Sequence, residues 1–307
     1  MHQYVYTILM LIVIISCKTV QKEHIKTEEI PDFQEIIHEN YELSQPTADI
    51  EYVLVLFGGY PETAEDIKRE FNMIEVAKKN NMAVVYMNYH QKLWLEEDEK
   101  HQLALLLQRI FLDHKLPKDN IYIGGFSSGG NVTLLIGSFL MANNDYQLHP
   151  KGLFIIDAPI DLVALYQSAE KNVSRNFSAV SVNESKWIIE NLDKQFGHPS
   201  SHRSKYEDYA VFTSQTNHID NLSSLKNIKI RLYTEPDTLW WKTNRMADYD
   251  QMNAFYIESL YERLKASGFE RAEYIPTVGK GYRANGERHP HSWSIVDKNA
   301  LMTWIKE

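Results

Sequence analysis

Short, continuous apolar runs alternate with longer segments of helical periodicity along most of the chain. The runs end or lie within Asp49–Phe57, Met82–Met87, Asn120–Ile123, Gly152–Asp157, Ile228–Tyr233 and Arg271–Val278. Uninterrupted apolar runs are typical of strands that are buried on both faces of a parallel sheet. The helical segments are Ala64–Lys79, Glu96–His114, Asn131–Met141, Asp250–Ser267 and Ser294–Ile305. Strands that alternate with helices predict an α/β fold with a doubly wound, mostly parallel sheet.

One interval, Asp161 to Leu225, interrupts this alternation. It mixes aromatic and charged residues over about 65 positions and contains no clear buried strand. A structureless stretch of that length is improbable in a compact domain. We therefore expect a mostly helical cap insertion over the carboxyl edge of the sheet, with a helix at Lys186–Phe196 and a second at Asp161–Ala169.

The N-terminus has a different character from the rest of the chain. Val5–Ile15 is almost wholly apolar, but it is shorter than the roughly 20 residues that span a membrane. It leads into Ile-Ile-Ser before Cys17, which resembles a bacterial lipobox, although no Lys or Arg precedes the apolar run. The pattern predicts a lipoprotein-type signal peptide at 1–16, a tether at 17–35 and a folded domain at 36–307. An uncleaved N-terminal anchor or a buried helix is the alternative.

Lipidation of Cys17 would place the chain in the bacterial cell envelope, at a periplasmic or surface face that the sequence leaves open. Cys17 is the single cysteine, so no intramolecular disulfide can form. The 307 residues are 44% hydrophobic, enough for one large core. The net charge of −9 indicates no basic surface for nucleic acid, so the lipid is the one membrane contact expected.

A glycine-flanked serine follows the third of the strands above. Gly125-Phe126-Ser127-Ser128-Gly129 resembles the G-x-S-x-G nucleophile elbow of α/β-hydrolases, entered by a strand and left by a helix. The turn is so tight that only glycine fits two residues before and after the serine. Ser127 is the serine with glycine at both positions, and it is the predicted nucleophile.

A serine nucleophile needs a base, and the base needs a carboxylate to orient it. In α/β-hydrolases these follow in the order Ser, Asp/Glu, His. After the strand Ile228–Tyr233 the chain offers Asp237, with Glu235 as the alternative acid. After the last strand, His291 opens a His-Ser-Trp sequence typical of the base in related hydrolases, and His289 would shape the loop or bind substrate.

The oxyanion hole of such an enzyme needs two backbone donors. The resemblance implies the amide of Ser128 as one donor and the amide of Gly59 or Tyr60 as the other. The loop Phe57-Gly58-Gly59-Tyr60 resembles the His-Gly-Gly element of esterases, with Phe57 in place of histidine. No nucleotide-binding motif accompanies it, and no carboxylate or cysteine stands at metal-ligand spacing from the two histidines, so we expect neither a cofactor nor a metal.

Together these motifs resemble an α/β-hydrolase from residue 49 to the end of the chain, of a type frequent among bacterial lipoproteins. The resemblance implies a serine hydrolase without naming its substrate. We expect a carboxylic ester hydrolase acting on a small or sugar-linked acyl substrate. A serine peptidase or amidase, or a surface binding protein that retained the fold, is the alternative. Possible substrate-lining residues are Phe57, Phe126, Trp240 and Trp241, although the tryptophan pair could instead pack beneath the cap. Three cations near the base, Lys280, Arg283 and Arg288, either belong to a solvated loop or hold an anionic group of the substrate.

Overall fold

A computed structural model describes residues 33–89 and 92–307 of the protein. These residues form one eight-stranded sheet in the order β1-β2-β4-β3-β5-β6-β7-β8. The strands are β1 Phe33–His38, β2 Tyr41–Pro46, β3 Tyr52–Phe57, β4 Met82–Met87, β5 Ile121–Phe126, β6 Gly152–Ile156, β7 Lys229–Thr234 and β8 Ala272–Pro276. The predicted signal peptide, Cys17 and most of the predicted tether lie outside the described residues.

Neighbouring strands from β4 to β8 pair in parallel, and each of the six apolar runs contributes one strand. In β3, Val53 and Val55 belong to the apolar core on one face, while Leu54 and Leu56 belong to the core on the other. A strand buried on both faces has no polar alternation, which explains why its sequence is a continuous apolar run. The prediction of a doubly wound, mostly parallel sheet is confirmed.

The apolar pattern of the sequence did not predict the β1–β2 hairpin. Its two strands pair antiparallel, and β2 pairs antiparallel with β4. β1 lies at the edge of the sheet with four of its six side chains exposed, so it shows no apolar run. It begins at Phe33, whereas the tether was predicted to extend to residue 35.

Helices cover both faces of the sheet. They are α1 Ala64–Glu70, α2 Ile74–Lys79, α3 Glu97–Asp113, α4 Ser128–Ala142, α5 Leu162–Arg175, α6 Ala179–Phe196, α7 Pro199–Tyr209, α8 Thr238–Arg245, α9 Asn253–Ala266 and α10 Lys298–Lys306. The single helix expected at 64–79 is two helices, because the chain turns inward between them to bury Phe71 and Met73. No helix among the described residues is long and apolar enough to cross a membrane.

The interval between β6 and β7 is helical, as the interruption in the pattern indicated. Asp161 begins α5 by accepting a hydrogen bond from the Ala164 amide at 3.0 Å. Helices α5, α6 and α7 bury a separate apolar cluster that includes Tyr166, Leu192 and Phe196. This segment is hereafter called the cap.

Candidate active site

Ser127 lies on the sharp turn between β5 and α4. Its backbone has φ 52° and ψ −129°, a region sparsely populated by residues that carry a side chain. Its amide donates to the carbonyl oxygen of Ile156 at 2.9 Å, which ties the turn to the end of the neighbouring strand β6. The turn therefore holds Ser127 at the carboxyl edge of the sheet, where ligands of open α/β sheets bind.

The two glycines that flank this turn leave no room for a side chain. A Cβ added to Gly125 would lie 2.1 Å from the carbonyl oxygen of Gly129. A Cβ added to Gly129 would lie 2.4 Å from the carbonyl oxygens of Phe57 and Gly58. The second clash involves the end of β3, so Gly129 also lets the loop after β3 approach the serine.

The imidazole of His291 lies beside Asp157. Its Nδ1 is 2.6 Å from Oδ2 of Asp157, whose other carboxylate oxygen accepts a hydrogen bond from Thr234 Oγ1 at 2.9 Å. Asp157 directly follows β6 and, like Ser127, has a positive φ, here 45°. A carboxylate in this position fixes the imidazole ring and stabilises its protonated form.

The sequence favoured Asp237 for this place, with Glu235 as the alternative, and the structure brings neither to His291. In the sheet, β6 lies next to β5, whereas β7 is one strand further from Ser127, a step of about 4.8 Å. Asp157 was the last residue of a predicted strand, and the sequence holds no signal that favours an acid after β6 over one after β7.

Asp237 and Glu235 instead anchor the loop that carries His291. Oδ2 of Asp237 and Oε1 of Glu235 lie 2.7 Å and 2.5 Å from Nη2 of Arg288. Oε2 of the buried Glu235 also accepts hydrogen bonds from the amides of Lys280 and Gly281, at 2.7 Å and 3.0 Å. The two acidic side chains therefore hold the loop between β8 and α10 rather than the base itself.

His291 is placed near the nucleophile by aromatic contact. Its ring centroid is 4.4 Å from that of Phe126, the residue before Ser127. Ser127 Oγ and His291 Nε2 make no hydrogen bond within the described part of the chain. Hydrogen bonds between nucleophile and base commonly tighten only when substrate binds.

Two of the three amides predicted to form the oxyanion hole already have partners. The Gly59 amide donates to Oε2 of Glu62 at 2.9 Å, and the Tyr60 amide donates to Oγ of Ser128 at 3.1 Å. The Ser128 amide is the first of α4 and makes no hydrogen bond to another described residue. It lies at the positive end of the helix dipole, where it suits an oxyanion.

Glu62 also belongs to the site, although the sequence did not predict it. Besides the Gly59 amide, its carboxylate accepts a hydrogen bond from Nε1 of Trp293, at 3.1 Å to Oε2. Burial raises the pKa of this carboxyl above its usual range, although both hydrogen bonds and the nearby Arg283 oppose the shift. Glu62 thus links the loop after β3 to the segment that follows His291. A glutamate in a polar turn carries no pattern that would have revealed this.

The four residues predicted to line a substrate pocket fall into two groups. Phe57 is fully buried beneath the sheet edge and contacts Tyr89, so it does not line an accessible surface. Phe126 is 3% exposed, and its contact is with His291. Trp240 and Trp241 are partly exposed, and both rings contact His289, with centroids 4.6 Å and 6.0 Å from it.

His289 forms an aromatic group with these two tryptophans beside His291. Burial lowers the pKa of His289 to about 3, and the positive charges at His291, Arg283 and Arg245 add to the shift. His289 is therefore neutral at neutral pH. The described residues contain no group of three or more His, Cys, Asp or Glu that could hold a metal ion.

An aromatic stack joins the cap to the loop after β3. Trp187 of α6 stacks on Tyr60, with ring centroids 4.9 Å apart and planes within 17°. Tyr60 belongs to the loop after β3, so the cap contacts the loop that carries Gly59. The sequence predicted the cap but contained nothing that identified this contact.

Comparison with known proteins agrees with this architecture. No family model matches the chain, and no curated protein matches it in sequence. Among solved structures it is similar to an esterase from the fungus Rhizomucor miehei, at 13% identity and a TM-score of 0.55, over 91% of this chain and 84% of that one. It is also similar to an esterase/lipase from an uncultured bacterium, at 13% identity and a TM-score of 0.50, over 90% and 85% of the two chains. The chain has the α/β-hydrolase fold.

Proposed function

We propose that this chain is a serine hydrolase that cleaves carboxylic esters through an acyl-enzyme on Ser127. The proposal rests on one observation: the candidate nucleophile and a histidine–carboxylate pair lie together at the carboxyl edge of the sheet. Ser127 is held on a strained turn, and the His291–Asp157 pair lies against the residue that precedes it. The named activity of the structural neighbours, which are esterases, supports an ester rather than an amide as substrate.

In this mechanism Ser127 Oγ attacks the ester carbonyl carbon while Nε2 of His291 takes the hydroxyl proton. The C–O bond to the alcohol then breaks, and the alcohol leaves with the proton that His291 returns. Water attacks the acyl-enzyme with His291 again as base, the bond to Ser127 Oγ breaks, and the serine regains its proton as the acid leaves. Asp157 stays ionised and stabilises the imidazolium that forms in both steps.

The negative charge on the carbonyl oxygen needs donors that are ready before the reaction. The Ser128 amide is one. The Gly59 amide becomes the second when it exchanges Oε2 of Glu62 for the substrate oxygen. Removal of one such donor typically costs about 3–4 kcal/mol of transition-state stabilisation.

The test is covalent labelling of the full-length chain with a fluorophosphonate probe, read by intact mass and peptide mapping. We expect one adduct on Ser127, and we expect Ser127→Ala to lose both the adduct and hydrolysis of p-nitrophenyl butyrate, by a factor of about 10³ or more. Ser201→Ala, an exposed serine in α7, is the matched control and should behave as the wild type.

If Ser127→Ala still formed the adduct, a residue other than Ser127 would be the nucleophile. Absence of both adduct and turnover in the wild type would favour the binding-protein alternative. Turnover of an aminoacyl p-nitroanilide without turnover of acyl esters would favour the peptidase.

We further propose that Cys17 carries a lipid that anchors the enzyme in a bacterial cell envelope, where its substrate is a small or glycan-linked ester. The lipobox-like sequence before Cys17 supports this. Growth with a labelled fatty acid should label the wild-type chain and leave Cys17→Ala unlabelled, and equal labelling of the two would contradict the anchor.

A further inference from the structure

The loop between β8 and α10 carries two arginines that differ in their partners. Arg288 is neutralised, since its Nη2 lies 2.5 Å and 2.7 Å from carboxylate oxygens of Glu235 and Asp237. Its Nη1 donates to the carbonyl oxygen of Gly281 at 2.8 Å. Arg288 is therefore a structural cation of the loop.

Arg283 has no such partner. Within the described part of the chain, no carboxylate oxygen lies within 4.0 Å of its guanidinium nitrogens. Its Cζ lies 5.9 Å from the centroid of the Phe126 ring. Phe126 precedes Ser127 and its ring contacts that of His291, so the Arg283 guanidinium lies against the aromatic ring that joins the candidate nucleophile to the candidate base.

The carboxylates around Arg283 are engaged elsewhere. Glu62, whose pKa Arg283 affects, receives the Gly59 amide and Trp293 Nε1. Glu70 receives the Ala284 amide at 2.9 Å, and Asp157 holds His291. The guanidinium donors of Arg283 have no hydrogen-bond acceptor among the described residues.

The backbone presents Arg283 in a fixed position. Its amide donates to the carbonyl oxygen of Glu287, and its carbonyl oxygen accepts from the Gly286 amide, both at 2.9 Å. On either side, the Tyr282 amide donates to Ser294 Oγ and the Ala284 amide to Glu70. Because the backbone at Arg283 is already ordered, anion binding does not also have to order the loop, which lowers the entropic cost of binding.

A second arginine without a carboxylate partner among the described residues, Arg245, lies against the aromatic group around His289. The Cζ of Arg245 is 6.0 Å from the centroid of the Trp240 ring, and that ring contacts His289. Although the whole chain is acidic, with a net charge of −9, two arginines without a carboxylate partner among the described residues lie against aromatic rings that contact the two histidines.

We propose that the enzyme prefers esters that carry a carboxylate, and that Arg283 binds this carboxylate while Ser127 attacks the ester bond. One guanidinium matches the single charge of a carboxylate and can bind it through two parallel hydrogen bonds. This inference rests on the proposed function, because it names the substrate class of the same site.

The test measures kcat/KM for two pairs of esters, each pair differing only in whether a carboxylate is free or methylated. The acyl-side pair is the mono-p-nitrophenyl ester of adipic acid and its methyl ester. The alcohol-side pair is 4-acetoxybenzoate and its methyl ester. Comparing wild type and variant by the ratio within a pair cancels the intrinsic reactivity of the two esters.

We expect Arg283→Met to lower the ratio of charged to neutral substrate by about tenfold or more in at least one pair. Arg283→Lys keeps the charge but not the planar guanidinium, so its ratio should lie between those of the wild type and Arg283→Met. Arg203→Met removes an exposed arginine of α7 and should leave both ratios at the wild-type value.

Unchanged ratios in Arg283→Met for both pairs, with the neutral esters still hydrolysed, would overturn this inference and leave the proposed function standing. An equal loss in Arg203→Met would reduce the effect to the net charge of the chain and overturn it as well. A wild type that hydrolyses none of the four esters and takes no fluorophosphonate adduct would overturn the proposed function itself.

Discussion

At the scale of single residues, the site is built from two strained positions at neighbouring strand ends. Ser127 and Asp157 both have positive φ, 52° and 45°, and each follows the last residue of its strand. Such conformations persist only where the surroundings hold them. Here the Ser127 amide bonds to the end of β6 and the Asp157 amide to the end of β7, each at 2.9 Å.

Replacing each of the two candidate acids with asparagine tests which of them orients His291. Asp157→Asn should lower kcat by roughly 10³–10⁴-fold, because an amide would favour the wrong imidazole tautomer and could not stabilise the imidazolium. Asp237→Asn should cost far less, since its contact is with Arg288. The measurement is kcat for p-nitrophenyl butyrate, with melting temperature as the control for folding. The reverse ranking of the two variants would return Asp237 to the role that the sequence favoured.

At the scale of elements, the cap and the loop after β3 act on each other through the stack of Trp187 on Tyr60. Stacked aromatic pairs contribute about 0.5–1.5 kcal/mol beyond the area that they bury. The stack with Trp187 holds Tyr60 from the cap. The hydrogen bond from the Tyr60 amide to Ser128 Oγ holds the same loop to the start of α4.

We therefore expect Trp187→Ala to lower kcat/KM by about threefold to tenfold, and Trp187→Phe to retain most of it. The exposed Val180 of the same helix offers a matched control, since Val180→Ala removes no contact with the loop. The measurement is kcat/KM from steady-state kinetics, made on variants whose melting temperature equals that of the wild type. A similar loss in Val180→Ala would show that α6 as a whole, rather than the stack, sets the effect.

At the scale of the whole molecule, the two edges of the sheet have separate roles. Ser127, Asp157 and His291 lie at the carboxyl edge. Toward the opposite ends of the strands, α10 packs on one face of the sheet, where its Trp304 is 1% exposed and contacts Tyr122 at the start of β5 and the Arg231 guanidinium in β7. Within the described ranges, 33–89 and 92–307, that end of the sheet contributes packing and none of these three site residues.

Trp304→Ala should accordingly lower the free energy of unfolding by about 3–5 kcal/mol, the usual cost of removing a buried tryptophan. Among the described residues the indole Nε1 has no hydrogen-bond partner, so the loss is one of packing and of the ring's contact with the Arg231 guanidinium. Denaturant unfolding measures the change. Below the transition, kcat/KM should stay near the wild-type value, and a large loss of activity in fully folded Trp304→Ala would contradict the separation of the two edges.

The sequence by itself determined the fold class, the turn at Ser127 and the helical interruption between β6 and β7. Each of these depends on local patterning: continuous apolar runs for strands buried on both faces, glycines where a Cβ would clash, and a long interval without a buried strand. The edge hairpin β1–β2 escaped because its outer strand has exposed side chains and therefore no apolar run.

Only the tertiary structure decided which groups meet. The carboxylate at His291, the partners of the Gly59 and Tyr60 amides and the unpaired state of Arg283 all depend on distances between segments far apart in the chain. Asp157 and Asp237 both follow buried strands, so nothing local separates them. The order of strands in the sheet separates them, because it places the end of β6 beside Ser127 and the end of β7 one strand further away.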